Sequence, residues 1–245
     1  MGDPLFLDSR FTELYDSQAA WKRRREYSFY MELVMSAGSV LDVGCGTGEL
    51  LHLAREAGHT GRLCGVDPAD AMLQHARTRP DVEWILGDAA SAAWDQEFDL
   101  VVMTGHAIQA IIDDENIKAS LAAIRSALTE QGRFVVETRN PTLRAWEKWT
   151  PDHVSEFFDP NGALVRTWYE IDTVDGDIVT VTSTYASSGW NQPRIARSSL
   201  RFLDLNSLNA FLSDAGLAIE EQFGDWDRQP LTDTSPEIIT IARRV

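Results

Sequence analysis

The run Asp42-Val43-Gly44-Cys45-Gly46-Thr47-Gly48 sets three glycines at alternate positions directly after the apolar pair Val40-Leu41. Glycine lets a main chain turn sharply and approach a ligand with no Cβ in the way. The next residues, Glu49-Leu50-Leu51-His52-Leu53-Ala54, have a helical pattern, so their free N–H groups point back at whatever the loop holds. Acidic residues close the next two apolar runs: Asp67, followed by Pro68, and Asp88, followed by Ala89. Asp67 lies 19 residues beyond Gly48, the separation that one strand–helix–strand unit requires. A carboxylate there can accept both hydroxyls of a ribose. Asp88 can accept from the exocyclic amine of adenine, and Met72 can pack on the ring. These positions outline a nucleoside-shaped site, although Asp67 also suits a helix cap and Gly87-Asp88 a plain turn.

The elements that must carry these residues alternate regularly from residue 39 to 139. Strands are expected over Ser39–Cys45, Arg62–Asp67, Val82–Leu86, Phe98–Met103 and Gly132–Glu137, with helices over Gly48–Ala57, Ala69–Arg77 and Asn116–Leu128. Near-continuous apolar strands alternating with helices predict a parallel sheet covered on both faces. In a doubly wound sheet ligands bind at the carboxyl ends of the strands, where the strand order reverses, and that is where each acidic or glycine landmark falls. From Pro141 to Phe202 the pattern becomes strand after strand (Leu164–Val174, Ile178–Tyr185, Ile195–Phe202), with an Asp175-Gly176 hairpin signal. A helix (Asn206–Ala215) and two strands (Ala218–Phe223, Ile238–Ala242) then return to the core as an antiparallel edge pair. The expected division is a helical lid over residues 1–37, a core of 38–140 and 204–245, and an antiparallel β insert of 141–203.

The dinucleotide fingerprint needs a glycine at position 49, where Glu49 stands, and a carboxylate there sits badly against a pyrophosphate. The tighter Gly44-x-Gly46-x-Gly48 run preceded by Asp42 resembles the motif of class I S-adenosylmethionine-dependent methyltransferases. The resemblance spans residues 38–140 and 204–245 and is specific as an ordered set. It implies an α/β, doubly wound Rossmann-like sheet of seven strands with an antiparallel last strand, and S-adenosylmethionine as cofactor. It also implies that Gly44, Gly46 and Gly48 hold the methionine part, Asp67 the ribose, and Asp88 with Ala89 the adenine. Asp42, Cys45, Pro68, Met72, Thr104 and Gly105 complete the expected cofactor contacts.

The implied reaction is displacement at a sulfonium methyl carbon, which asks for alignment and exclusion of water more than for covalent help. An aromatic lid suits a cationic sulfonium. Tyr15 and Tyr30 are the lid candidates, with ordinary helix packing as the competing role. His106, in the Thr104-Gly105-His106 turn, is the catalytic candidate together with Tyr15, since it titrates near neutrality and can take a proton from the acceptor. Shaping the cofactor pocket is its alternative role. Arg139 can pair with an acceptor carboxylate or phosphate, or with an internal carboxylate such as Glu137. Asn140, Trp146 and Trp168 are further acceptor-site candidates, and packing of the insert competes for the tryptophans.

The turn after the fourth strand lacks the Asn/Asp-Pro-Pro-aromatic pattern of nucleobase amino methyltransferases and the Asp of metal-dependent catechol-type enzymes. No His and carboxylate cluster at ligand spacing is evident, so no metal is expected. The β insert resembles small-molecule N-methyltransferases of the glycine and amino-sugar type, and the motifs at 104–106, 137–141 and 224–226 resemble actinobacterial small-molecule enzymes. This favours an amine acceptor, with the insert as an acceptor wall or an oligomer contact. An O-methyltransferase on the same scaffold, a nicotinamide-dependent oxidoreductase and a non-catalytic cofactor-binding protein are the rival readings.

The 245 residues carry 22 basic against 38 acidic side chains, a formal charge of −16, which repels nucleic acid. The one basic run, Lys22-Arg23-Arg24-Arg25, reads as a solvated helix face. Two cysteines, Cys45 and Cys64, suit neither a disulfide framework nor a zinc site. With no leader-like or membrane-spanning pattern, the expectation is a cytoplasmic protein.

Overall fold

A computed structural model describes residues 7–18, 24–91 and 93–245; Lys22 and Arg23 of the basic run lie outside them. In chain order the core elements are helices α1 (Ser9–Gln18) and α2 (Tyr27–Ser36), strand β1 (Ser39–Val43), α3 (Glu49–Glu56), β2 (Arg62–Asp67), α4 (Asp70–Ala76), β3 (Glu83–Leu86) and β4 (Phe98–Met103). Next come α5 (Asp114–Ala127) and the long β5 (Leu128–Arg139). Asp113 caps α5, its carboxylate accepting from the Asn116 N–H at 2.9 Å, the role its place before the helix suggests.

After β5 the chain builds β6 (Ser155–Phe158), β7 (Leu164–Asp175), β8 (Ile178–Ser187) and β9 (Arg194–Arg201), a separate antiparallel sheet in the order β6-β7-β8-β9. Gly176-Asp177 joins Asp175 to its partner Ile178. Helix α6 (Leu205–Asp214) and strands β10 (Leu217–Phe223) and β11 (Glu237–Arg244) finish the chain. Strand β6 lacks a sequence signal because its four residues are mostly exposed and follow a run of tight turns.

The main sheet has seven strands in the order β10-β11-β5-β4-β1-β2-β3. Strands β1 to β5 pair in parallel, and β11 runs antiparallel between β5 and β10. The terminal pair is therefore antiparallel as expected, but the last strand lies inside the sheet and β10 forms the edge. Order reverses at β1, whose neighbours are β2 and β4. Alternate residues feed two cores. Val101, Phe134 and Val136 meet Ile117, Leu121, Leu208 and Leu212 on one face; Val40, Val102, Val135 and Ile241 meet Tyr30, Val34, Leu51 and Ala54 on the other. Each such fully buried Leu or Ile contributes roughly 1.5–3 kcal/mol, so both faces clamp the carboxyl ends of β1, β2, β4 and β5 into one rim.

Helix α1 bridges the two sheets. Phe11 and Leu14 pack on Val165, Tyr185 and Ala196 of the insert, while the Thr47 hydroxyl of the glycine loop donates to Asp16 at 2.6 Å.

Candidate active site

Two clusters share the rim. The first is the glycine loop, where Gly44, Gly46 and Gly48 all adopt positive φ. Gly48, at φ 77°, initiates α3, and a Cβ there would lie 2.4 Å from the Trp84 ring. Glycine at this position is thus demanded by packing as well as by the turn. A Cβ on Gly46 would meet only Met72, at 3.8 Å, so this is where the loop leaves room for a ligand. Asp67, buried at the end of β2, accepts from the N–H of Gly46 and of Ala69, both at 2.8 Å. Burial raises its pKa, and these two N–H groups pull it back.

Asp42 is buried in β1, and its Oδ1 has no hydrogen-bond partner among the described residues. Desolvation, reinforced by Asp67 and Glu137, pushes its pKa up to about 8. A buried oxygen of this kind calls for a donor, and a cationic amine answers both the missing hydrogen bond and the charge. The α-ammonium of S-adenosylmethionine fits that requirement. Cys45 instead turns its side chain into a small core with Leu73, Ala76 and Trp84. Pro68, Asp88, Gly87 and Ser91 line an open groove of about 600 Å³. Asp88 is exposed and accepts from the Ser91 hydroxyl at 2.7 Å, in the turn role that competed with adenine recognition; Ala89 and Met72 are buried.

The second cluster lies at the ends of β4, β5 and β11. Gly105 and His106 both take left-handed φ, 66° and 61°, a strained conformation for histidine. It is held at both ends: the His106 N–H donates to Glu137 Oε1 and its Nε2 contacts Glu237 Oε2, each at 2.9 Å. Glu137 is completely buried and also accepts from the Tyr30 hydroxyl. Desolvation lowers the His106 pKa to about 3, with Arg139 adding to the effect, and desolvation raises Glu237 to about 7. Burial thus favours the neutral form of both partners. Arg24 pairs with Glu26 and reaches over Gly105, where a Cβ would stand 3.1 Å from its Nη2. It therefore belongs to the site and not to a solvated basic face.

Several sequence expectations change here. Tyr30 is fully buried against Phe29 and Trp226, with its hydroxyl on Glu137, so it is a core residue bracing the site and not a lid. Tyr15 does sit on α1, where its pKa is raised by burial and felt by Arg24 and Asp67. Asn140 spends its amide on local backbone, donating to Ser235 O and accepting from the Thr142 N–H, and so braces a turn. Trp146 packs edge-on against Phe202, 4.5 Å between ring centres, in the base of the insert. Trp168 shares the outer face of β7 with Arg166, opposite to buried Val165 and Thr167, and so faces away from α1. Thr104 is buried below the turn and accepts from the Ala107 N–H.

Glu237, Glu137, Arg24 and Gln109 are site residues the sequence reading missed or underrated. Glu137 ends an apolar strand just as Asp67 does. Glu237 opens an antiparallel strand, and such a strand must begin where its parallel neighbours end. Both signals were present.

Residues 40–132 match the model of a methyltransferase domain. The chain carries an S-adenosylmethionine-dependent methyltransferase domain. The chain is 30% identical over 137 residues to a 2-phytyl-1,4-naphtoquinone methyltransferase of Thermosynechococcus vestitus, covering 54% of this chain and 59% of that one. It is 29% identical to a trans-aconitate 2-methyltransferase of Klebsiella pneumoniae over 84% of this chain and 86% of the relative. Its fold matches that of an amino pentose methyltransferase from Micromonospora echinaspora, solved with S-adenosylmethionine bound, at a TM-score of 0.70 and 20% identity, covering 95% and 97% of the chains. Among the described residues no helix is long and apolar enough to cross a membrane, and no group of His, Cys, Asp or Glu could hold a metal ion.

Proposed function

We propose that this methyltransferase acts on the nitrogen of a small polar acceptor seated between the second cluster and the inner face of the β insert. S-Adenosylmethionine supplies a methyl carbon on a departing sulfonium. Gly44, Gly46 and Asp42 hold its methionine end, Asp67 the ribose, and Pro68, Met72, Asp88 and Ala89 the adenine side. Helix α1, with Tyr15, closes over them and excludes water. The division into lid (1–37), core (38–140 and 204–245) and insert (141–203) follows this assignment of roles.

The observation that carries the amine reading is the His106–Glu237 contact. An ammonium group must lose a proton before its lone pair can attack. With Glu237 ionised, His106 donates from Nε2 and keeps a lone pair on Nδ1. With Glu237 protonated, the carboxylic acid donates to Nε2 and Nδ1 carries hydrogen instead. Loss of one proton from the pair thus turns Nδ1 from donor into acceptor, ready to take the proton the amine gives up. Glu26, Glu137 and Glu237 lie around this point against Arg24 and Arg139, and a cationic acceptor would offset the remaining acidic excess. The fold match to an amino pentose methyltransferase agrees with it. Transfer to an oxygen is the second reading, favoured by the similarity to the trans-aconitate enzyme across most of both chains. An ionised carboxylate oxygen would need no base there, whereas a hydroxyl would give its proton to His106. Either way the partner is a small molecule and the setting cytoplasmic; the exposed Phe158 and Ile195 on the outer face of the insert offer a contact for a second copy.

Incubation of an acceptor library with S-adenosylmethionine, read by mass spectrometry for gain and position of one methyl, tests the atom assignment. Methylation confined to oxygen overturns the amine reading. His106→Ala should leave S-adenosylhomocysteine binding intact and slow transfer by roughly 10²–10⁴-fold. Wild-type turnover in that variant removes His106 from the chemistry.

A further inference from the structure

Arg139 is the last residue of β5 and shares the face of Glu137, two positions earlier. Its Nη1 donates to Gln109 Oε1 at 2.7 Å, and its guanidinium lies 5.5 Å from the centre of the Trp149 ring. No carboxylate reaches it within ion-pair distance among the described residues, whereas Arg24 is paired with Glu26 and Arg201 with Asp114 and Asp177. A cation drawn into a protein is ordinarily matched by a counter-charge. Here its protein partners are a neutral amide and an aromatic face.

The partners are themselves fixed. Gln109 is buried, and its Nε2 donates to the Arg201 carbonyl at 3.2 Å, which orients Oε1 toward Arg139. Trp149 is wedged against Phe202 and Tyr169, 6.0 and 6.2 Å between ring centres. The guanidinium is thus anchored by one nitrogen and one face, with the donors of Nε and Nη2 uncommitted among the described residues. That is the fork that binds a carboxylate through two parallel hydrogen bonds. The insert wall nearby is polar for a buried surface: Thr167, Ser183 and Ser198 are buried on its inner face, and Tyr169 and Tyr185 bond Gln18 through their hydroxyls.

We infer that Arg139 is the anchor for a carboxylate on the acceptor, so that the substrate class is a small amino acid, its acid end on Arg139 and its amine beside His106 and Glu237. This rests on the proposed transfer to nitrogen and narrows it. Glu137 and Glu237 lie close enough for their charges to act on Arg139, so a singly charged carboxylate suits the place better than a doubly charged phosphate.

The test uses matched sets with S-adenosylmethionine: glycine, β-alanine and γ-aminobutyrate, the carboxamide of each, the corresponding simple amines, and glycolate with glycolamide. Methylation is read by mass. The acids should exceed their amides in kcat/KM by roughly ten- to a hundred-fold, the discrimination of one charged, bidentate contact. Arg139→Gln should erase that preference mainly through KM and leave S-adenosylhomocysteine affinity unchanged, with Arg139→Lys recovering part of it. Amides or plain amines that match the acids overturn the carboxylate anchor while the amine reading stands. Glycolate methylated in preference to glycolamide, with no amine accepted, overturns the amine reading and keeps the anchor. A panel in which no member is methylated overturns the amino-acid class.

Discussion

The two halves of the rim are built by different means. Around the glycine loop, geometry comes from the backbone: positive φ at three glycines, N–H groups on Asp67, and Trp84 filling the space against Gly48. Around His106 it comes from side chains distant in sequence. Glu137 is 31 positions from His106, Glu237 131, and Tyr30 107 from Glu137. The first half holds its shape through main-chain donors, which side-chain substitution leaves in place. The second half is a buried network of ionisable groups, and its chemistry changes when any one of them is replaced. The cofactor and acceptor roles proposed above thus fall on separable parts of one surface.

The contrast is easiest to break at Glu137. Glu137→Ala leaves the Tyr30 hydroxyl and the His106 N–H without an acceptor inside the core, at a cost of about 1–3 kcal/mol for each buried donor. A thermal melt should show the largest drop of any single change discussed here, and an unchanged midpoint would mean that the network holds nothing together. On the other side, Asp67→Ala should weaken S-adenosylhomocysteine binding by ~1–3 kcal/mol in calorimetry, as expected for hydrogen bonds to a charged group. Equal affinity in a folded variant excludes a ribose contact.

Glu237→Gln sharpens the same division. In the wild type, turnover should rise as pH increases through about 7, because Glu237 titrates there and its ionisation frees Nδ1 of His106. The glutamine variant should lose this limb of the pH–rate profile while binding S-adenosylhomocysteine as before. A profile that keeps its inflection assigns the proton to another group. The smallest effect belongs to Trp168→Ala. Because the ring lies on the outer face of β7, KM for any acceptor should stay within about two-fold. A ten-fold change would bring Trp168 back into the acceptor site.

Most of the main sheet was readable because apolar strands, helix caps and strand-ending acids are local signals. Asp113 before α5 and Asp67 after β2 acted where their neighbours in the chain said they would. The acceptor side was less readable for a physical reason. Whether Trp146, Trp168 or Tyr30 faces a pocket depends on strand register and on which helix covers which face, and tryptophan is equally at home in a core. Arg24 shows the same limit: a run of basic residues reads as solvated until the fold carries one of them over Gly105.

From the residues alone came the nucleoside-binding loop, the parallel sheet that presents it and the acidic character of the whole chain, since each follows from spacing within a few tens of residues. Only the folded chain could bring the first residue of its last strand against His106, bury Glu137 beneath the turn and seat Arg139 on the Gln109 amide and the Trp149 face. Those facts depend on which strand inserts beside which, and on how burial redistributes protons among charges that water would otherwise keep apart.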